Sequence, residues 1–153
     1  MMTREILVLY ERNSSKDDEL LAACVRIERR LFPKHESLAS TMSVEARKKS
    51  QRTVVMTIDK DTVAGYMIIT NSGNVLKLAV NPLNQRTGVA RSLLLWAKKQ
   101  HLSLMLHVDP ERIAAVSLYR DQGFEEVTTV SDFYQRGRNA ILMQWRHPTT
   151  NEK

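Results

Sequence analysis

Cysteine is nearly absent from this chain, with Cys24 standing alone. A single thiol permits no internal disulfide and no cysteine-based zinc cluster. Cys24 falls on the apolar side of a predicted helix and reads as core. Apolar runs are short, well below the roughly eighteen residues a membrane-crossing helix needs. The opening Met1-Met2-Thr3-Arg4-Glu5-Ile6 lacks a signal-peptide pattern, so the expected location is cytoplasmic. Aromatic residues make up 6% of the chain. The one tight basic cluster, Arg47-Lys48-Lys49 with Arg52, has none interleaved for stacking on bases. It reads as a solvated helix face despite the net charge of +6, and nucleic acid is not the expected partner. No Gly-Lys-Ser/Thr triplet and no glycine triplet occur where a phosphate loop or dinucleotide fingerprint would need them.

What is present suits one globular domain. The 153 residues are 42% hydrophobic and 26% charged, enough for a real core. The expected domain is 1–146, with a flexible tail at 147–153.

The first strand is predicted at Ile6 to Tyr10. Ser14 and Ser15 offer an N-cap, and Asp18 stands three residues after Ser15, the spacing of a capping box. Leu20, Leu21, Cys24, Ile27 and Leu31 then form an apolar helical stripe that should end at Phe32, before Pro33. A short helix is expected over Ser43–Ser50. Strands are expected over Thr53–Ile58, Thr62–Thr70 and Val75–Val80, antiparallel to one another. Gly65 inside the second of these predicts a bulge or close packing.

Val75–Val80 is an apolar strand that stops at Pro82. A polar loop follows, and a helix begins near Gly88, because Val89, Leu93, Trp96 and Ala97 recur at helical spacing. Free N–H groups and the positive end of the helix dipole then face the loop. Small residues there, Gly88 and Ala90, let a phosphate approach, and Arg86 and Arg91 add charge. The next strand, Leu102–Val108, must run parallel to its predecessor through the helical crossover. Asp109 is a candidate N-cap with Pro110 at the first helical position. That helix runs to about Gln122, with Gly123 as a left-handed cap. Phe124–Val130 and Ala140–Arg146 are strands, joined by a connection over Ser131–Asn139.

Gln85-x-x-Gly88-x-Ala90 resembles the pyrophosphate-binding motif of the GCN5-related N-acetyltransferases. The run Ala115-x-x-Leu118-Tyr119-x-x-x-Gly123-Phe124 is similar to their helix-to-strand motif, about 25 residues after Gly88. Phe133-Tyr134 followed by Ala140-Ile141-Leu142-Met143 resembles the hairpin and last strand of the branch that acetylates protein N-termini. That branch includes the ribosomal-protein alanine acetyltransferases. Leu31-Phe32-Pro33 resembles its peptide-binding loop, although the same three residues are also a helix stop with a buried Phe. The resemblance is close over Val75–Met143 and looser before it. The chain departs from the pattern at Arg112, where many relatives have Asn. It departs again near Gly73, where some relatives have a catalytic Tyr, and at Phe133, the first of a frequent Tyr-Tyr pair.

The resemblance implies an α/β (α+β) fold: a mixed sheet of about seven strands, antiparallel at its start, with a splayed central parallel pair and about four flanking helices. It implies acetyl-CoA as acetyl donor, without a metal. Leu78, Ala79 and Val80 would line its pantetheine arm, and Gln85, Arg86, Thr87, Gly88, Val89, Ala90 and Arg91 its pyrophosphate. Three catalytic assignments follow: the Val80 N–H as oxyanion donor, His107 as base, and Tyr119 as general acid. His107 alternates with Ser103 and Met105, opposite Leu104, Leu106 and Val108. Its ordinary pKa of about 6.5 suits base chemistry, and a hydrogen-bonded sheet histidine is the plainer reading. Tyr119 is otherwise a core aromatic. Phe32, Pro33 and Tyr134 would contact the acceptor.

The expected reaction is acetyl transfer by direct attack of a primary amine, first of all the α-amino group of a protein N-terminus, with a possible ribosome association. A small-molecule amine, a lysine side chain, and a noncatalytic acetyl-CoA-binding module are the alternatives.

Overall fold

The computed structural model describes residues 2–148 apart from Asn13 and His35. Its elements are β1 (Arg4–Val8), α1 (Asp17–Leu31), α2 (Met42–Arg47), β2 (Gln51–Ile58), β3 (Thr62–Thr70), β4 (Asn74–Val80), a 3-10 turn (Pro82–Asn84), α3 (Val89–Gln100), β5 (Ser103–Val108), α4 (Ile113–Asp121), β6 (Glu125–Gln135) and β7 (Arg138–Arg146). The seven strands form one sheet in the order β1-β2-β3-β4-β5-β7-β6. Among the described residues, only β4 and β5 pair in parallel, as the crossover through α3 requires.

Alternation along the central strands sends apolar side chains to both faces. Met56, Met67, Leu104 and Leu106 pack with Leu93, Leu94 and Ala97 of α3 and Val116 and Tyr119 of α4. Val55, Tyr66, Ile68 and Ala79 pack on the other face with Leu20, Leu21, Cys24 and Ile27 of α1 and Met42 of α2. Cys24 is fully buried, and burial pushes its thiol up to about 12, so it is an inert core residue.

Gly65 is a close-packing glycine, as its place in a strand predicts. A Cβ there would stand 2.7 Å from both the Ala79 carbonyl oxygen and Val89 Cγ1. Val89 is the first residue of α3, so β3 seats the start of that helix directly. Gly65→Ala is expected to destabilise the protein by about 1–3 kcal/mol, the usual cost of overpacking. A thermal melt checks this, and an unchanged midpoint would show that the contact yields freely.

Several local expectations give way to tertiary partners. β1 ends at Val8, earlier than predicted, because Tyr10 takes a left-handed conformation (φ 61°). The Ser15–Asp18 capping box does not form. α1 starts at Asp17 behind Lys16, with no side-chain cap. Asp17 Oδ2 instead accepts from the Tyr10 N–H at 3.0 Å, and Asp18 Oδ1 from the Tyr10 hydroxyl at 2.6 Å. α1 ends one residue early, leaving Phe32 extended, and α2 covers Met42–Arg47 rather than Ser43–Ser50. Asp109 does not cap α4, which begins at Ile113. Its Oδ1 accepts from the Glu111 N–H and its carbonyl from the Arg112 N–H, both at 2.9 Å, closing a turn ahead of the helix. The Ser131–Asn139 connection is mostly strand, since β6 runs on to Gln135 and pairs with Arg138 across a bulge. Of the expected tail, His147 is held by its N–H donating to the Leu102 carbonyl at 2.8 Å; residues 149–153 lie outside the described residues.

Candidate active site

The site begins where β4 and β5 part. Only Asn74 with Met105 and Val75 with Leu106 stay in register. A register shift between Ile68 and Ile69 in the β3–β4 ladder turns β4 at that level. Asn81 N–H donates to the Ala64 carbonyl at 2.8 Å, and the pairs Gly65–Val80, Tyr66–Ala79 and Met67–Leu78 follow it. Antiparallel bonding alternates. The N–H groups of Leu78 and Val80 therefore point away from β3 toward the gap, while that of Ala79 belongs to the ladder.

At the end of the gap, α3 presents its N-terminus. Gly88 has φ 85°, in the left-handed region, and no atom lies within 4 Å of where its Cβ would be. Glycine is thus needed for the backbone turn and leaves open space beside it. No side chain caps α3, so its first N–H groups face outward. Gln85, Arg86, Thr87, Gly88 and Arg91 are exposed, while Val89 is buried in the core and Ala90 half-buried. Thr87 Oγ1 donates to the Asn84 carbonyl at 2.5 Å, and Arg4 donates to the Thr87 carbonyl at 2.9 Å, which fixes the loop. An anionic, phosphate-bearing donor fits this cradle.

Beside the gap lies a cleft of about 450 Å³ whose lining includes Phe32, Leu78, His107, Tyr119 and Tyr134. Five of the predicted site residues thus meet there. Pro33, Ala79, Val80 and the 85–91 loop are not in its lining; the loop sits at the head of α3, and Pro33 is exposed. His107 projects from β5, its ring stacked on Phe133 at 4.2 Å and 9°. Burial lowers its pKa below the usual value. Tyr119 is 9% exposed, and no hydrogen-bond partner is found for its hydroxyl among the described residues. Burial raises it to about 12, against the opposing charge of Arg112. Its position is set by the end of α4. Gly123 N–H donates to the Arg120 carbonyl and Phe124 N–H to the Tyr119 carbonyl, at 3.0 and 2.9 Å. This is a Schellman cap with its apolar contact, the Tyr119 and Phe124 rings 5.7 Å apart. The Leu-Tyr-x-x-x-Gly-Phe run is therefore a device that aims Tyr119. Burial likewise raises Tyr134 to about 12, with Asp109 and Glu36 adding to the effect.

Sequence reasoning missed the ionic frame around these residues. Arg138 donates to both Glu36 and Asp109, tying the loop after α1, the end of β5 and the β6–β7 hairpin together. Burial alone would raise Asp109. The Glu111 N–H and the Arg138 and Arg112 charges outweigh it and hold Asp109 below the usual carboxylate range. Beneath the loop, fully buried Glu28 accepts from the Tyr66 hydroxyl and from the Leu38 N–H at 2.8 Å. Lys77 Nζ lies 3.0 Å from Glu28 and 3.5 Å from the centroid of the Phe32 ring. Lys77 interrupts the apolar run of β4, and Glu28 falls among the buried positions of α1. Charges inside apolar patterns were the available signal.

The chain matches the family model for the acetyltransferase (GNAT) domain over residues 15–147. No curated protein matches it significantly. Among solved structures it is similar to the ribosomal-protein-S18-alanine N-acetyltransferase of Escherichia coli, with 25% identity and a TM-score of 0.73 over 95% of this chain and 94% of that one. It has the fold of Arabidopsis thaliana NAA60, solved with a bisubstrate analogue, at 15% identity and a TM-score of 0.76 over 94% and 99% of the two chains. An aminoglycoside 6'-N-acetyltransferase complexed with coenzyme A shares that fold at 12% identity and a TM-score of 0.69, over 93% and 96%. The parted strand pair, the uncapped α3 and the Tyr119 cap agree with the match along the sequence: the chain belongs to the GNAT family and is an N-acetyltransferase.

Proposed function

We propose that the protein transfers the acetyl group of acetyl-CoA to the α-amino group of a protein N-terminus. The observation that carries this reading is the cleft itself, lined by both Phe32 and Tyr134, with Arg138 tying the Glu36 loop to Asp109. A braced groove suits an extended acceptor. The likeness to the S18 alanine acetyltransferase, spanning nearly both chains, supports it.

Acetyl-CoA supplies the activated acyl group as a thioester. The first N–H groups of α3, with Arg86 and Arg91, hold its pyrophosphate. Leu78, Ala79 and Val80 flank its pantetheine arm, and the Val80 N–H faces the gap as a donor for developing negative charge on the acyl oxygen. His107 takes the proton of the attacking amine. Its lowered pKa keeps the imidazole neutral, hence basic, at pH 7. Arg112 in the same cleft favours the uncharged amine, because like charge lowers its pKa. Tyr119 donates to the leaving sulfur. At about 12 its hydroxyl is a weaker acid than an ordinary thiol near 8.5, so it stabilises the thiolate chiefly by hydrogen bonding.

Assay of peptide N-termini and small amines with acetyl-CoA, read by thiol release, tests the reading. Peptides are expected to be acetylated. Tyr134→Ala is expected to raise the peptide KM about tenfold, as loss of a partly buried aromatic contact does, and the acetyl-CoA KM much less. An enzyme that acetylates only small free amines, indifferent to this substitution, would refute it.

A further inference from the structure

Phe32 belongs to two cavities. Besides the cleft it lines a second space of about 310 Å³, formed with Arg29, Lys34, Ser37, Ala39 and Ser40. The charges along this path are unevenly matched. Each carboxylate lining the cleft has a cationic partner: Glu36 and Asp109 share Arg138, and Glu45 has Lys48. Lys77 is paired with buried Glu28. Arg112 makes no ion pair among the described residues and lies 5.4 Å over the Phe32 ring. Arg29 and Lys34 likewise make none among the described residues, and both are exposed. The charges left over on both sides of Phe32 are therefore all positive, with Ser37 and Ser40 adding hydroxyl donors in the second space.

From this we infer that the acceptor is a peptide whose N-terminal amine is followed closely by acidic side chains, which pass Phe32 and meet Arg112, Arg29 and Lys34. The inference rests on the N-terminal acetylation reading above and adds to it the acceptor's chemical class. An extended chain advances about 3.3–3.6 Å per residue, so the positions just after the amine are the ones placed for these cations. A paired cation has already spent its attraction on its partner. An unpaired one is available to a ligand, and an exposed ion pair changes an equilibrium by up to about fivefold. The same cations repel a basic acceptor, so they discriminate in both directions.

Two peptides with a common first residue, one with aspartates at positions two and three and one with lysines there, provide the test. Wild-type kcat/KM is expected to favour the acidic peptide about tenfold or more at low salt, the product of two or three such pairs, and the preference is expected to shrink as salt rises. The double variant Arg29→Glu, Lys34→Glu is expected to lose or reverse the preference. The ratio of the two peptides on one variant is its own control, since partial misfolding lowers both rates alike. Equal rates for the two peptides, or a preference that survives the double substitution, overturns the inference while leaving N-terminal acetylation standing. Acetylation of free aspartate or glutamate with neither peptide used overturns the peptide acceptor itself.

Discussion

Replacing Gly88 with glutamate is expected to weaken acetyl-CoA binding at least a hundredfold while the protein stays folded. Two features separate the effects. The left-handed backbone at φ 85° costs a non-glycine residue about 1–2 kcal/mol, but nothing lies within 4 Å of the new Cβ, so no packing is lost. A carboxylate beside the first turn even complements the helix dipole, which offsets part of the strain. Donor binding has no such compensation. The new charge would face pyrophosphate in the same cradle, and two like charges about 4 Å apart repel by roughly 4 kcal/mol at a surface dielectric near 20. Gly88→Ala carries the strain without the charge and serves as the control. Calorimetric titration with coenzyme A and a thermal melt on all three proteins decide the matter. Glutamate binding the donor as tightly as wild type would dissolve the assignment of the 85–91 loop to pyrophosphate.

The second large effect distinguishes His107 from Tyr119 by pH. As the proposed base, His107 can act only when neutral. Its pKa is lowered by burial, so the neutral form dominates from below the ordinary value of about 6.5 upward, and its contribution is lost only as pH falls through that lowered pKa. An α-amine has a pKa near 8 and deprotonates unaided above it. His107→Ala is therefore expected to cost roughly 10²-fold in kcat/KM near pH 7, the low end for a general base, with the deficit shrinking toward pH 9. Tyr119, at about 12, stays protonated throughout that range. Tyr119→Phe is expected to cost a similar factor that does not shrink as pH rises, since the sulfur must still leave. Full pH–rate profiles of both variants against wild type are the measurement. A His107→Ala enzyme matching wild type at every pH would make His107 a sheet residue stacked on Phe133 and nothing more.

The parts of this site that local chemistry builds were legible in the sequence. A strand stopped by Pro82, a glycine opening a helix, and a tyrosine four residues before Gly123 each constrain the backbone over a few residues, and each is found where its pattern puts it. The parallel pairing of β4 with β5 followed from the helical crossover. Ion pairs between distant segments were not legible. Arg138 meets Glu36 across 102 residues and Asp109 across 29, and no periodicity records such a meeting. Asp109 shows the failure most clearly. The Asp-Pro pair looks like a helix start, but its carboxylate closes a turn and answers an arginine from β7 instead. Ser15 and Asp18 fail in the same way, since Tyr10 claims the acids on which a capping box would draw. The hairpin beyond Val130 reads as loop by its polarity, yet pairing with β7 holds it extended.

Two residue pairs join β4 to β5, against six between β5 and β7. By hydrogen bonding alone the sheet nearly divides in two at its centre. Cohesion across that seam comes from side chains, with Met56 and Met67 on one half sharing a core with Leu104 and Leu106 on the other through Leu93, Leu94 and Ala97 of α3. Cooperative unfolding of the domain thus depends on this shared side-chain core, with α3 packed on both halves. With acetyl-CoA placed in the gap as proposed, the donor becomes a third span across the seam. Its binding free energy then appears as added global stability, and each release of coenzyme returns the enzyme to its more divisible state.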